Sequence, residues 1–241
     1  LFPRKCPFCQ RLAEGEALLC PDCQRTLPWL TEQAAERTPE FVRLCVSPLR
    51  YRGPVADSIH RYKFSGRRNY AAAYGALMAQ CVLDHPDVTF DLLSWAPLSR
   101  KRLRRRGYDQ ARLLARAVGE RLNVPVTPVL VKRRDIPAQS GLSEQAARRA
   151  NVLGAYELLP GAQVAGSSIL LADDVVTSGA TLSECARVLL TAGATAALNL
   201  AIKGSLHPGS RVLVSSMEHN AVMRPLVQLG AAFTRLPCDR E

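Results

Sequence analysis

The chain has 241 residues, a formal net charge of +11, 47% hydrophobic residues and 22% charged residues. That balance describes a globular protein with room for one good-sized core or one ordinary domain with small additions, and it excludes a disordered chain. No apolar run is long enough to span a bilayer and no secretory leader is recognisable, so the expected place is the cytoplasm, without membrane insertion.

The first segment is short and rich in Cys and Pro. Four of the eight cysteines fall here, as Cys6-Pro-Phe-Cys9 and Cys20-Pro-Asp-Cys23, with ten residues between the pairs. In a cytosolic chain, paired CxxC motifs speak for a metal before they speak for disulfides. Four thiolates suit the closed tetrahedral site of structural zinc, no neighbouring His or carboxylate suggests an open catalytic position, and a redox dithiol is the alternative. Cys6, Cys9, Cys20 and Cys23 are therefore the expected zinc ligands, in a module over residues 1–30.

Residues 31–45 are polar and read as a linker. From there to residue 203, helical and strand patterns alternate. Tyr74, Leu77, Met78 and Cys81 share a helical face, so Asn69–Leu83 is expected to be an amphipathic helix. Leu92–Ala96 reads as a strand. Asp109–Asn123 reads as a second helix, with Ala111, Leu114, Ala115, Val118 and Leu122 on its apolar face. Val126–Lys132, Ala155–Leu159 and Ser168–Ala172 are expected strands, the last apolar enough to be buried on both faces. A helix carrying Leu182, Cys185, Ala186 and Leu189 is expected to stop at Gly193, with a further strand at Leu198–Ile202. Cys81 and Cys185 fall on apolar helix faces as core residues. The alternation predicts an α/β fold with a mainly parallel sheet and helices on both faces.

The segment Ile169-Leu-Leu-Ala-Asp173-Asp174-Val-Val-Thr177-Ser178-Gly179-Ala180-Thr181 carries the most chemistry. A buried strand delivers two adjacent acids at its C-terminal end, where open α/β sheets bind ligands. The turn that follows offers backbone N–H groups at a helix N-terminus, hydroxyls from Thr177, Ser178 and Thr181, and a close backbone approach at Gly179. Two acids beside a phosphate site need another task, and ribose hydroxyls and hydrated Mg²⁺ are natural candidates. A second basic element, Arg100-Lys-Arg-Leu-Arg-Arg-Arg106, places six cations in seven positions after the Leu92–Ala96 strand. It could clamp a pyrophosphate, track a nucleic-acid backbone, or face solvent. Its place at a strand end favours pyrophosphate for Arg100 and Lys101. Arg102, Arg104, Arg105 and Arg106 are candidates for nucleic acid.

The thirteen-residue loop resembles the phosphoribosyl pyrophosphate (PRPP) motif of type I phosphoribosyltransferases, with Ser178 in place of a Thr. The resemblance implies that Asp173 and Asp174 hold the ribose 2′- and 3′-hydroxyls and that Thr177, Ser178, Gly179, Ala180 and Thr181 hold the 5′-phosphate. It also implies a reaction displacing pyrophosphate from ribose C1 through an oxocarbenium-like transition state, helped mainly by electrostatic support of the leaving group.

Taken together, the CxxC pairs, Tyr51–Gly66 with Ile59, Lys63 and Gly66, Pro97-Leu98 with the basic run, Arg106-Gly-Tyr-Asp-Gln110, Gln139–Ser143, Arg149–Asn151 and the loop resemble the ComF family. That family joins a four-Cys zinc module to a phosphoribosyltransferase domain and is linked to DNA uptake. Tyr108 and Asp109 depart from its usual Phe and Asn. Lys132, Arg133 and Arg134 fall at the start of the loop that covers the site in related enzymes. The resemblance implies Mg–PRPP as ligand, with single-stranded DNA and uptake proteins such as a competence helicase as partners. Nucleobase salvage with an unknown acceptor, and non-catalytic sensing of PRPP, stand as alternatives.

Residues 204–241 read differently, as strand Arg211–Ser215, helix Glu218–Leu229 and strand Ala232–Leu236. Thr195–Gly204 with Gly209–Pro225 resembles a fragment of class V aminotransferases of the cysteine-desulfurase type, His219 matching the residue that stacks on pyridoxal phosphate. The Schiff-base Lys region is missing, so no pyridoxal phosphate is expected. The tail is read as a fusion, frameshift or assembly chimera, with a genuine extension packed on the sheet edge as the alternative.

Overall fold

The protein is described from a computed structural model, which covers residues 5–13, 17–31, 34–135, 152–205, 211–215, 223, 226–227 and 232–236. It forms two compact units, Leu1–Ala162 with Ser167–Val188, and Gln163–Gly166 with Leu189–Glu241.

In the first unit, the helices α1 (Pro21–Thr26), α2 (Pro54–Phe64), α3 (Tyr70–Leu83), α4 (Arg100–Arg106) and α5 (Gln110–Leu122) accompany strands β1 to β6. Strands β1 (Glu36–Arg37) and β2 (Cys45–Val46) form a short antiparallel pair. Strands β3 (Leu92–Trp95) and β6 (Ile169–Ala172) run parallel, with Trp95 opposite Ala172. Strands β4 (Leu130–Lys132) and β5 (Tyr156–Leu158) pair antiparallel. Parallel bridges join Leu93 to Val126 and Ser99 to Lys132. The strand expected over Val126–Lys132 is thus a bridge and a short strand, because Pro128 between them has no N–H to give a ladder. The stretch read as a linker holds β1 and the first residue of β2, the buried Cys45.

Local chemistry fixes the helix ends. The Asp109 carboxylate accepts the Arg112 N–H and caps α5, and Asn123 closes the helix in the left-handed region at φ 53°. Its apolar face, Ala111, Ala115 and Val118, meets Leu93, Trp95, Ala172 and Ala79 in one cluster. α3 crosses α5 at Gly75, where an added methyl would stand 2.4 Å from the Ala117 Cβ. A larger residue there would force the helices apart.

Helix α6 spans Ala180–Ser205. This corrects two expectations: Gly193 does not stop it, and Leu198–Ile202 is helix, not strand. A short apolar run fits both periods. Here Ala192, Ala194, Ala196, Ala197, Leu198, Leu200 and Ala201 are strong helix formers, and a single Gly costs only about 1 kcal/mol against them. In the second unit, β7 (Arg211–Ser215) and β8 (Ala232–Leu236) form a parallel pair at the expected positions. Within the helix expected at Glu218–Leu229, Met223, Leu226 and Val227 are helical and the rest lies outside the described residues, as does His219.

Candidate functional sites

The N-terminal motifs build a thiolate cluster. α1 starts directly after Cys20 with Pro21 in the first turn, where a missing N–H costs nothing, and it turns Cys23 inward. The first pair is folded by the Cys6 N–H donating to the Arg11 carbonyl and the Gln10 N–H to that of Cys6. All four sulfurs of Cys6, Cys9, Cys20 and Cys23 lie within 4.8 Å of one another. Tetrahedral zinc with bonds of about 2.3 Å needs sulfurs about 3.8 Å apart. The donor set fits structural zinc. Burial raises the Cys9 thiol, but hydrogen bonding from the Arg11 backbone and side chain and from Cys20 and Cys23 outweighs it and brings it down to about 6. The Cys23 thiol is driven upward by burial and by its cysteine neighbours. One thiolate without metal suppresses the next, and a divalent cation lets all four ionise.

This module does not stand apart. Cys6, Phe8, Leu19, Cys20 and Cys23 share a core with Val55, Ile59, Tyr62, Tyr70, Tyr74 and Leu114. Arg61 on α2 donates to the carbonyls of Pro7 (3.0 Å) and Phe8 (2.9 Å), and Ser58 also donates to Pro7. Gln10 donates to the Tyr70 hydroxyl at 2.6 Å.

The second site lies at the C-terminal edge of the β3–β6 pair. Because the two strands are parallel and in register, the Ser99–Arg106 segment and the Asp173–Asp174 pair leave the sheet at the same edge. The Lys63 Nζ meets Asp174 Oδ1 at 2.8 Å, with the carboxylate side chain only 6% exposed. The other oxygen of Asp174 is buried and has no partner among the described residues. Asp173 accepts the Asp174 N–H at 2.8 Å. Its carboxyl is pushed up to about 7, by burial first and then by the neighbouring Asp174 charge, against the pull of Lys63 and Lys132.

The following loop is shaped at Gly179, whose φ of +76° favours glycine and whose missing side chain would stand 2.8 Å from Pro39. Its carbonyl accepts the Ser183 N–H at 2.9 Å, opening α6. Thr177 is exposed and its carbonyl faces Arg37 Nη1 at 3.4 Å, Ser178 and Thr181 are half-buried, and Ala180 is buried.

The basic run is helical. Ser99 caps α4 by accepting the Arg102 N–H, and Gly107 ends it at φ 79°. Arg100, Lys101, Arg104 and Arg105 line a cleft of about 770 Å³ together with Ser99, Val131, Lys132, Arg133 and Asp135. Arg102 pairs with Asp135 at 3.2 Å. Arg106 is drawn away from the cleft: it donates to Gln110 and sits 5.1 Å over the Phe64 ring. Burial lowers its pKa and the Asp174 charge opposes that fall. Lys132 is buried and donates to the Tyr156 hydroxyl at 3.0 Å, Arg133 pairs with Glu157 at 2.9 Å, and Arg134 lies against Gly154. The segments Gln139–Ser143 and Arg149–Asn151 lie outside the described residues.

Two site residues had no role in the sequence reading. Lys63 was visible only as part of a resemblance, and its pairing with Asp174 depends on how α2 packs. Asp135 accepts from the Ser99 hydroxyl at 2.7 Å as well as from Arg102 and ties the start of α4 to the end of β4. The Asp109 that departs from the family pattern uses both oxygens, one for the Arg112 N–H and one for the Leu98 N–H at 3.1 Å. An Asn would set its NH2 donor against one of these two N–H groups.

A thiolate ribbon joined to a parallel-edged α/β domain with an acid pair and a hydroxyl-rich loop defines a phosphoribosyltransferase-type protein with a zinc module. The chain matches the double zinc ribbon domain over residues 1–38 and the phosphoribosyl transferase domain over residues 105–203. It is 31% identical over 201 residues to the DNA utilization protein YhgH of Escherichia coli strain K12, covering 79% of this chain and 86% of that one. It is 31% identical over 149 residues to competence protein F of Haemophilus influenzae, covering 59% and 65% of the two chains. To competence protein ComFC of Bacillus subtilis it is 28% identical over 197 residues, covering 80% and 75%. No solved structure gives a significant match. The chain belongs to the ComF family.

Proposed function

We propose that this chain binds PRPP with Mg²⁺ at the β3–β6 edge and works in the cytoplasm in the uptake or use of DNA. The observation that carries the ligand is Asp174. One oxygen is neutralised by Lys63 and the other is buried without a partner among the described residues, an arrangement that is costly unless something completes it. A ribose hydroxyl donates the hydrogen bond that oxygen lacks, and a hydrated cation is an equally good match for a carboxylate oxygen. Asp173 and Asp174 take the sugar diol, Thr177, Ser178, Gly179, Ala180 and Thr181 the 5′-phosphate, and Arg100 and Lys101 the pyrophosphate. Mg²⁺ bound there would neutralise charge between the pyrophosphate and the acids. The positive end of α6 and the exposed cations of α4 favour the anionic ends of the ligand without a proton changing hands.

The DNA half of the proposal rests on the relatives, named for DNA utilization and for competence, and on the +11 charge. Thermal unfolding tests the ligand half. PRPP with Mg²⁺ at a hundredfold excess over its Kd should stabilise the folded state by about 2.7 kcal/mol and raise Tm by several degrees. A Tm unmoved by PRPP at any concentration would remove the assignment.

A further inference from the structure

We propose that the seam between α2 and α4, centred on the exposed ring of Phe64, is a stacking platform for the bases of single-stranded DNA. The inference rests on the DNA reading above and says where on the molecule a strand would lie.

The sequence isolates two acid-free stretches. No Asp or Glu occurs between Asp57 and Asp84, or between Asp91 and Asp109, although together these stretches carry Arg61, Lys63, Arg67, Arg68 and the whole basic run. The fold brings their ends together. Arg106, the last residue of α4, lies over the Phe64 ring at 5.1 Å, and Phe64 is the last residue of α2. Arg68 lies 4.9 Å over the Tyr108 ring and donates to the Gly107 carbonyl at 3.0 Å.

Within this basic seam Phe64 is 60% exposed, while its chain neighbour Lys63 turns inward to Asp174. The ring is held in place, with His60 one turn earlier at 4.7 Å on a tilted plane and Arg106 over it. A single exposed Phe is ordinary on a protein surface. One flanked by an imidazole and a guanidinium and still 60% exposed, inside a surface with no acids along its sequence, offers ring surface where a phosphate backbone would already be attracted. That combination of cations and stacking rings is how proteins hold single strands without reading sequence. Bases inside a duplex cannot reach the ring, so the surface should prefer single strands.

The two ingredients respond differently to salt. Stacking releases no counterions, so its loss lowers affinity equally at all salt concentrations. Each phosphate contact adds about 0.7 to the slope of log affinity against log salt for single strands. The test is fluorescence anisotropy of a labelled oligothymidylate with the full zinc-loaded chain, across a salt series, with a duplex of equal length as comparison. Phe64→Ala should weaken oligothymidylate binding by about tenfold with the slope unchanged and leave duplex binding as it was. Phe64→Trp should restore affinity. Arg67→Glu with Arg68→Glu should reduce the slope. PRPP binding by Phe64→Ala, unchanged, shows that the fold is intact.

Wild-type affinity in Phe64→Ala, or equal loss in the Ala and Trp variants, would overturn the platform while leaving the DNA reading standing. A wild type that binds no oligothymidylate at any salt would overturn both.

Discussion

The thiolate cluster and the acid pair are sites of opposite kinds within one unit. The four sulfurs converge within 4.8 Å, from a stretch of eighteen residues, and make the donor set of a closed tetrahedral site. The acid edge gathers α2, α4 and β6 from distant parts of the chain and leaves a carboxylate oxygen of Asp174 buried without a partner among the described residues. Four thiolates closed around one ion suit a structural role, and a carboxylate edge with an acceptor to spare suits a ligand that donates. α2 joins the two, because Ser58 and Arg61 hold the first Cys loop while Lys63, further along the same helix, holds Asp174.

The largest expected effect breaks the first half of this comparison. Structural zinc contributes roughly 10–16 kcal/mol of apparent binding energy in small modules. Three of its thiols sit in the core shared with Tyr62 and Tyr74. Cys20→Ser, or removal of zinc by a chelator, should therefore abolish cooperative unfolding of the whole first unit, read by near-UV circular dichroism alongside bound zinc. Loss of the ribbon alone, with the rest melting as before, would show that the shared core is not needed.

Next comes Lys63→Met. It leaves the Asp174 charge buried and unpaired, which typically costs about 3–5 kcal/mol in denaturant unfolding, while Lys63→Arg should recover part of it. Gly179→Ala follows. It combines a left-handed φ with a methyl 2.8 Å from Pro39, and strain of this kind costs about 1–3 kcal/mol. PRPP affinity should fall as well, because the loop must shift.

The remaining effect is one of pH. Folded Asp173 keeps its proton up to about 7, whereas an unfolded Asp loses it near about 4. The folded state therefore binds more protons across that window. The stabilising contribution is full below about pH 4 and is lost as pH rises to about 7. Asp173→Asn should flatten the fall of Tm with pH over this range, and an identical pH profile would show that Asp173 titrates normally.

How much of this was legible in the sequence follows from how local each feature is. The thiolates and the loop from Ile169 to Thr181 are contiguous, so residue type and spacing carry them. α3 and α5 declare themselves by period, and Asp109 and Asn123 mark the ends of α5. The Lys63–Asp174 pair joins residues far apart in sequence, and the Asp135 brace joins β4 to α4. Both depend on packing, and one sequence does not encode it visibly. Leu198–Ile202 misled because a short apolar run satisfies a strand as easily as an Ala-rich helix. In α4 the sequence gives six cations alike. The fold separates them, turning Arg100, Lys101, Arg104 and Arg105 to the cleft, Arg102 to Asp135 and Arg106 to Phe64.

PRPP is the ligand we assign to the acid edge. The most direct test of that assignment is calorimetric titration of PRPP, with and without Mg²⁺, into the zinc-loaded wild type and into Asp173→Asn/Asp174→Asn. The account predicts Mg²⁺-dependent binding by the wild type and its loss, by at least about a hundredfold, in a double variant that remains folded. Heats that are absent from the wild type, or unchanged in the double variant, would contradict it.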